Sequence, residues 1–302
     1  RDRVKDGRNV YEKHEVQATT IEPKLKVEGT GAIEYVKTWG VQGRSEVWVG
    51  EQSGKTQDRG EVVPATDCVV ECASVAPKGN EKYVALTFDE GPSGATKQIL
   101  QVLKEKGVTA TFFLSGDAAE ASPATAKAIV DAGCEIGSNS YSDDSLKGED
   151  RETVRKQITK GTESIKSATG VETMLLRAPY AAFDEQNWID SMDLVSAVVS
   201  WNIDSGDWLL NGADEQVSTV LDSMTPGNIV LLTDSDECAE QTLEALPQII
   251  DGLVADGYKI VTLSDLVKTD TALSKKLTSL TKVSMPKNAV FPQLPEDDDA
   301  TE

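Results

Sequence analysis

From Tyr83 to Thr262, short apolar runs alternate with longer amphipathic stretches, a pattern that predicts strand and helix in turn. The runs predict strands over 83–88, 110–114, 135–137, 174–177, 195–201, 229–232 and 259–262. Between them, helices are predicted over 96–106, 123–132, 151–168, 184–191, 214–223 and 239–255. Gly107 and Gly257 follow two of these helices, where a left-handed residue commonly ends the element. About seven repeats of strand then helix argue for an α/β fold, either a parallel barrel or a doubly wound sheet.

The chain before residue 79 has a different rhythm. AIEYVKTWGV and SEVWVGEQ, set between the glycine turns EGTGA, VQGRS and QSGKT, predict a small antiparallel β module over 1–78. Trp39 and Trp48 are its expected core, and His14 is expected in a solvated loop. APKGN reads as a linker into a domain spanning 82–268. Residues 269–302 form an extension whose proline-punctuated acidic end is expected to be mobile.

Charge narrows the range of partners. The 302 residues carry 51 Asp plus Glu against 30 Lys plus Arg, a formal charge of -21, so a phosphate backbone would be repelled. Nucleic acid is therefore not an expected partner. No run of about 18 apolar residues predicts a membrane span. Cys68, Cys72, Cys134 and Cys238 allow either buried thiols or one or two bridges. A single histidine constrains the chemistry most, because imidazole is the usual zinc ligand and the usual neutral-pH acid.

The candidate chemistry gathers on KYVALTFDEGPSG, residues 82–94, an apolar strand that ends in Asp89, Glu90 and a glycine-proline turn. Carboxylates so placed sit at the C-terminal mouth of a strand, where the following loop leaves room for a ligand. Four further stretches follow in order: EIGSNSYSDDSL (135–146), RAPY (177–180), SWNIDSGDW (200–208) and IVLLTDSD (229–236). With TFDEGP (87–92), they resemble the polysaccharide deacetylases, the NodB-homology domain of the carbohydrate-esterase class, over residues 82–268.

That resemblance implies a distorted (β/α) barrel of seven or eight strands, and removal of acetyl groups from chitin-like sugars or peptidoglycan. It also implies a divalent metal held by one Asp and two His, an Asp base and a His acid. Carried over by position, Asp89 matches the base, and Arg177 would orient it. Glu90 stands at the metal-binding Asp, its carboxylate reaching roughly 1.5 Å further. Asn139 and Asp143 occupy the two metal-binding His positions, and Thr233 replaces the acid His, with Asp234 following unchanged. Asp204, Asp207 and Trp208 keep the fourth motif intact.

A threonine does not titrate near neutral pH, and an all-oxygen donor set is poor for zinc. The expectation is a catalytically degenerate homologue, exported and associated with the cell surface, that binds wall glycan or an N-acetylglucosamine-containing polysaccharide, or has a structural role. An upstream export signal or anchor is expected to have been removed. No cofactor is expected. The alternatives are a working deacetylase with Ca, Mg or Mn on Glu90, Asn139 and Asp143 and Asp234 or water as proton donor, or a surface protein-interaction domain. Tyr141, Tyr180 and Trp208 are the expected sugar-stacking residues, while Trp201 and Trp188 could serve the groove or the core. The spaced glycines of 1–78 resemble the G-five modules attached to cell-wall enzymes.

Overall fold

The alternation along the strand Tyr83–Asp89 sorts the chain into layers. The structure, a computed structural model, describes residues 4–5 and 11–297. Val84, Leu86 and Phe88 pack outward with the helical residues Ile99, Leu103, Leu246 and Ile250. Ala85 belongs to a separate inner cluster with Phe113, Leu175, Ala197 and Ile229. Successive side chains of a strand point to opposite faces, so Thr87 and Asp89 share the inner face with Ala85.

Seven parallel strands pair in the order Ile203–Asp204, Ile229–Thr233, Tyr83–Asp89, Thr111–Leu114, Glu135–Ser138, Leu175–Leu176 and Ala197–Val199. The two ends of this path, Ala197–Val199 and Ile203–Asp204, are separated by only residues 200–202 of the chain. The sheet must therefore curl back on itself, which makes the distorted barrel expected of the fold class. Lys259–Ile260 pairs with the opening of Tyr83–Asp89.

An unpredicted antiparallel partner, strand Ile33–Thr38, meets Ala197–Val199 through Val199↔Ile33 and Val198↔Glu34. Residues 28–36 thus belong with 71–284 in one compact unit, although they lie inside the span read as 1–78. In that unit Trp188 is core: it is 1% exposed, with its Nε1 donating to Glu34 at 3.0 Å. The helices follow the pattern closely, as in Thr96–Lys106, whose C-terminal Gly107 has φ 67°, and Ala239–Ala255. Short helices at Gly116–Ala121, Leu263–Lys268 and Thr271–Lys276 were not legible, because six residues are too few for a period of 3.6 to show.

The other unit takes in the described parts of 1–27, 37–70 and 285–302. Its main sheet is antiparallel, with strand order His14–Ile21, Gly43–Gly50, Thr56–Val63. His14 is in this sheet and not in a loop: its ring stacks on Trp48 at 3.9 Å, and the Arg59 guanidinium lies 4.4 Å from the Trp48 ring. Trp48 is half-buried between these groups and is not a closed core. The segment after Pro286 is not a free tail as far as it is described. Val290 N–H donates to Gly40 O, Gln293 N–H to Pro23 O, and Gln293 O accepts from Leu25 N–H. These backbone pairings need no apolar side chain, which is why composition did not reveal them. The acidic end, 298–302, lies outside the described residues. All four cysteines are unbridged thiols.

Candidate functional site

The site is a cleft of about 380 Å³ at the C-terminal mouth of the barrel, lined by residues including Asp89, Glu90, Asn139, Asp143, Thr233 and Asp204. Each comes from the end of a parallel strand or from the loop after it. Asp89 sits opposite Thr233 in register, and Asp234 N–H donates to Asp89 O at 2.9 Å. Asn139 and Asp143 follow Glu135–Ser138, and Asp204 ends the strand beside Ile229–Thr233.

Arg177 lies wholly buried beneath this mouth and organises it. Its Nη1 donates to Asp89 Oδ1 at 2.8 Å and to Thr87 Oγ1 at 2.7 Å. Its Nε and Nη2 donate to the carbonyls of Val199 and Ser200, and its guanidinium stacks 4.2 Å from the Phe113 ring. The base-position carboxylate is thus held by the arginine that the motif predicted. Burial pushes the Asp89 carboxyl above its ordinary range, while Arg177 pulls it down.

Asp207 and Thr233 form a second buried pair. Thr233 N–H and Oγ1 donate to Asp207 at 2.6 and 3.0 Å, and Thr242 Oγ1 adds a third bond at 3.1 Å. Asp207 therefore holds residue 233 in place from behind the cleft and does not line it. Asp234 also lies outside the lining. Its oxygens accept from Ser93 Oγ at 2.7 Å and Thr96 Oγ1 at 2.6 Å, and it is 1% exposed. A side chain on residue 91 would collide with that carboxylate, so Gly91 is required there. Asp234 fastens the turn after the first strand, and the proton-donor role considered for it has no access to the cleft.

At the family's metal positions the side chains are already engaged. Asn139 Nδ2 donates to Arg177 O at 2.8 Å, and Asp143 Oδ2 accepts from Tyr180 Oη at 2.9 Å. Among the described residues, no group of three or more His, Cys, Asp or Glu could hold a metal ion. The donors at positions 90, 139 and 143 do not fit zinc, which favours nitrogen and sulfur.

Of the aromatics, Tyr180 and Trp208 line the cleft at 70% and 56% exposure, as a sugar wall requires. Trp208 is oriented by its Nε1, which donates to Asp204 Oδ2 at 3.0 Å. Trp201 joins them in the lining. Tyr141 does not. The backbone passes through φ 63° at Ser140, and the Tyr141 hydroxyl donates to Glu120 at 2.9 Å, with Lys160 Nζ 3.9 Å from its ring. Its place just beyond a strand mouth suggested a cleft position, but the left-handed residue at 140 turns the chain, and the contacts with Glu120 and Lys160 hold the ring outside the lining.

Glu90 is pushed up to about 7 by burial first, then by Asp143, Asp89, Asp207 and Glu237. A carboxyl raised in the folded state holds its proton there while the unfolded chain has lost it. Stability should therefore fall as pH rises from about 4.5 to about 7 and stay lowered above that. Because the neighbouring walls desolvate only part of Glu90 and the rest of it meets solvent, which screens its charge, Glu90→Gln is expected to stabilise the protein by only about 1 kcal/mol at pH 8 and hardly at pH 4. Urea unfolding of both proteins at the two pH values checks this; equal gains at both would contradict it.

Comparison with known proteins agrees with this geometry. The family model described as polysaccharide deacetylase matches residues 76–194. The chain is 36% identical over 189 residues to a bifunctional xylanase/deacetylase of Pseudobutyrivibrio xylanivorans, covering 62% of this chain but spanning only 31% of that protein. It is 32% identical over 219 residues to a peptidoglycan-N-acetylglucosamine deacetylase of Bacillus cereus, covering 71% of this chain and 79% of that one. Among solved structures, a mutant of BA3943, described as a CE4 family pseudoenzyme with restored enzymatic activity, matches with a TM-score of 0.58 and 27% identity over 74% of this chain and 86% of that one. Identity of 32% sustained across 79% of a relative's length, together with the match to the family model, shows that this chain belongs to the polysaccharide deacetylase family.

Proposed function

We propose that this protein binds an N-acetylglucosamine-containing wall glycan at the cell surface without hydrolysing it. The observation that carries this is the state of the four altered positions. Glu90, Asn139, Asp143 and Thr233 offer no imidazole, and Asn139, Asp143 and Thr233 are bonded to Arg177, Tyr180 and Asp207 respectively. The cleft nevertheless keeps the wall a sugar needs: Trp208 and Tyr180 present apolar faces, and Asp89 and Asp204 present acceptors for hydroxyl groups.

A second reading is favoured by the names of the relatives. The Bacillus cereus protein is called a deacetylase, and a deacetylase activity here would use Asp89 as base, with a hard cation such as Ca, Mg or Mn on the oxygens at 90, 139 and 143. Release of acetate from N-acetylglucosamine oligomers, assayed with added zinc, cobalt, manganese or calcium, separates the two. Turnover abolished by Asp89→Asn would overturn the non-hydrolytic reading. For binding itself, chito-oligosaccharides are expected to quench tryptophan fluorescence, and Trp208→Ala to weaken the response about tenfold through loss of ring stacking. No quenching at millimolar sugar would count against a glycan ligand.

A further inference from the structure

Several polar side chains that line the main cleft direct their donors at the protein and leave their acceptors to a ligand. Asn139 Nδ2 donates to Arg177 O, Tyr180 Oη to Asp143, Trp208 Nε1 to Asp204 and Thr233 Oγ1 to Asp207. Asp89, Glu90, Asp143 and Asp204 bring carboxylates into the same lining, and of these only Asp89 has an ion pair among the described residues, with Arg177 beneath it. Glu90 makes no hydrogen bond among the described residues, and Asp143 is near enough to repel it.

Asn139 adds a neutral acceptor, independent of these charges. The residue is 4% exposed, and what remains open of it lines the cleft. Its Nδ2 is fixed on Arg177 O, which can only accept, so the amide cannot be turned over and Oδ1 is the end left for a ligand. That oxygen has no partner among the described residues and is not among the unpartnered atoms sealed from solvent. The acids here do not form a group able to hold a metal ion, whose oxygen ligands must lie at about 2.0–2.6 Å. An ammonium reaches its acceptors at about 2.7–3.2 Å, with three donors and no acceptor of its own. It suits a wider ring of oxygens and brings the charge that this lining lacks. An acetamido group fits less well, because its carbonyl oxygen would face lone pairs.

We infer that the unit held in the main cleft is a de-N-acetylated hexosamine, its ammonium group donating to Asn139 Oδ1 and to the carboxylates of Glu90 and Asp143. Tyr180 and Trp208 flank the sugar ring, and aromatic faces tolerate a nearby cation. This assignment rests on the glycan-binding reading and sharpens it: neighbouring units of the glycan keep their acetyl groups, and the unit in the cleft has lost its own. Hydrolysis of an acetamide to an amine and acetate must supply such a ligand, so the protein acts after an N-deacetylation.

The test is calorimetric titration with the β-1,4-linked N-acetylglucosamine tetramer and with its singly de-N-acetylated forms, at pH 7 and about 0.15 M salt to screen long-range attraction. One or more of the amine-bearing forms is expected to bind about tenfold tighter than the fully acetylated tetramer. Glu90→Gln and Asp143→Asn keep the side-chain size and are each expected to cut that ratio about threefold, so either decides the matter if the other does not fold. Glu105→Gln combined with Glu244→Gln removes two exposed charges outside the cleft lining, on the helices Thr96–Lys106 and Ala239–Ala255, and should leave the ratio unchanged. A wild-type ratio near one or below, a ratio that survives both cleft substitutions, or one that falls equally in the outer variant overturns the ammonium assignment alone. Absence of wild-type binding to every tetramer overturns the glycan reading with it.

Discussion

Replacing Arg177 with methionine is expected to destabilise the protein by about 3–5 kcal/mol, the cost typical of removing one partner from a buried ion pair. The guanidinium is fully buried and serves four acceptors: Asp89, Thr87, and the carbonyls of Val199 and Ser200. Methionine fills a similar volume over Phe113 but satisfies none of them. The two carbonyls lie where strand Ala197–Val199 runs into the short link between the ends of the barrel's pairing path, so the loss falls where closure is made. Asp89 would be left as an uncompensated carboxylate beside its neighbour Glu90. Urea unfolding at pH 7 measures the loss, and adding Asp89→Asn to the same protein should recover part of it, because a neutral amide tolerates the site without a cation. A loss below about 1 kcal/mol for Arg177→Met would mean that the buried pair contributes little to the fold.

The second large effect concerns metal. The four substitutions Glu90→Asp, Asn139→His, Asp143→His and Thr233→His are expected to give zinc affinity in the micromolar range or tighter, well above that of the unaltered protein. The surroundings suit the new side chains. Arg177 O, which now accepts from Asn139 Nδ2 at 2.8 Å, could accept from an imidazole N–H and so orient the ring toward a metal. Asp207, which now accepts from Thr233 Oγ1 and is supported by Thr242, stands ready to hold a histidine at 233. Tyr180 would lose the carboxylate it now bonds at residue 143. The solved BA3943 mutant, a pseudoenzyme with restored activity, makes the experiment a natural one for this fold. Equilibrium dialysis against zinc, with calorimetry on the same preparation, reads the outcome. A folded variant that takes up no zinc at about 100 μM would mean that the cleft has changed shape as well as ligands.

Much of the barrel was legible because its signals are local. The parity of VALTFD places Asp89 on the face of Ala85 and Thr87, and a strand ending in acids and glycine-proline marks a mouth. The five ordered motifs then located most of the cleft, including the Arg177–Asp89 pair, before any contact was seen. What was not legible depends on partners distant in the chain. Strand Ile33–Thr38 pairs with Ala197–Val199, which lies far along the chain. Residues 289–293 find theirs at 23–25 and 40–41 through backbone groups that every sequence possesses.

Asp234 and Tyr141 show the same limit inside the motifs. Both sit one or two residues from cleft positions, yet one is captured by Ser93 and Thr96 and the other by Glu120 and Lys160.

By itself, the sequence determined the layer order, the family and the loss of every imidazole from the cleft, since these depend on residue identity and on periods of two and 3.6. Only the tertiary structure decided which carboxylates face the cleft and which fasten its walls. Burial and hydrogen-bond partners are properties of the packed chain, and they determine whether a given acid is a site or a strut.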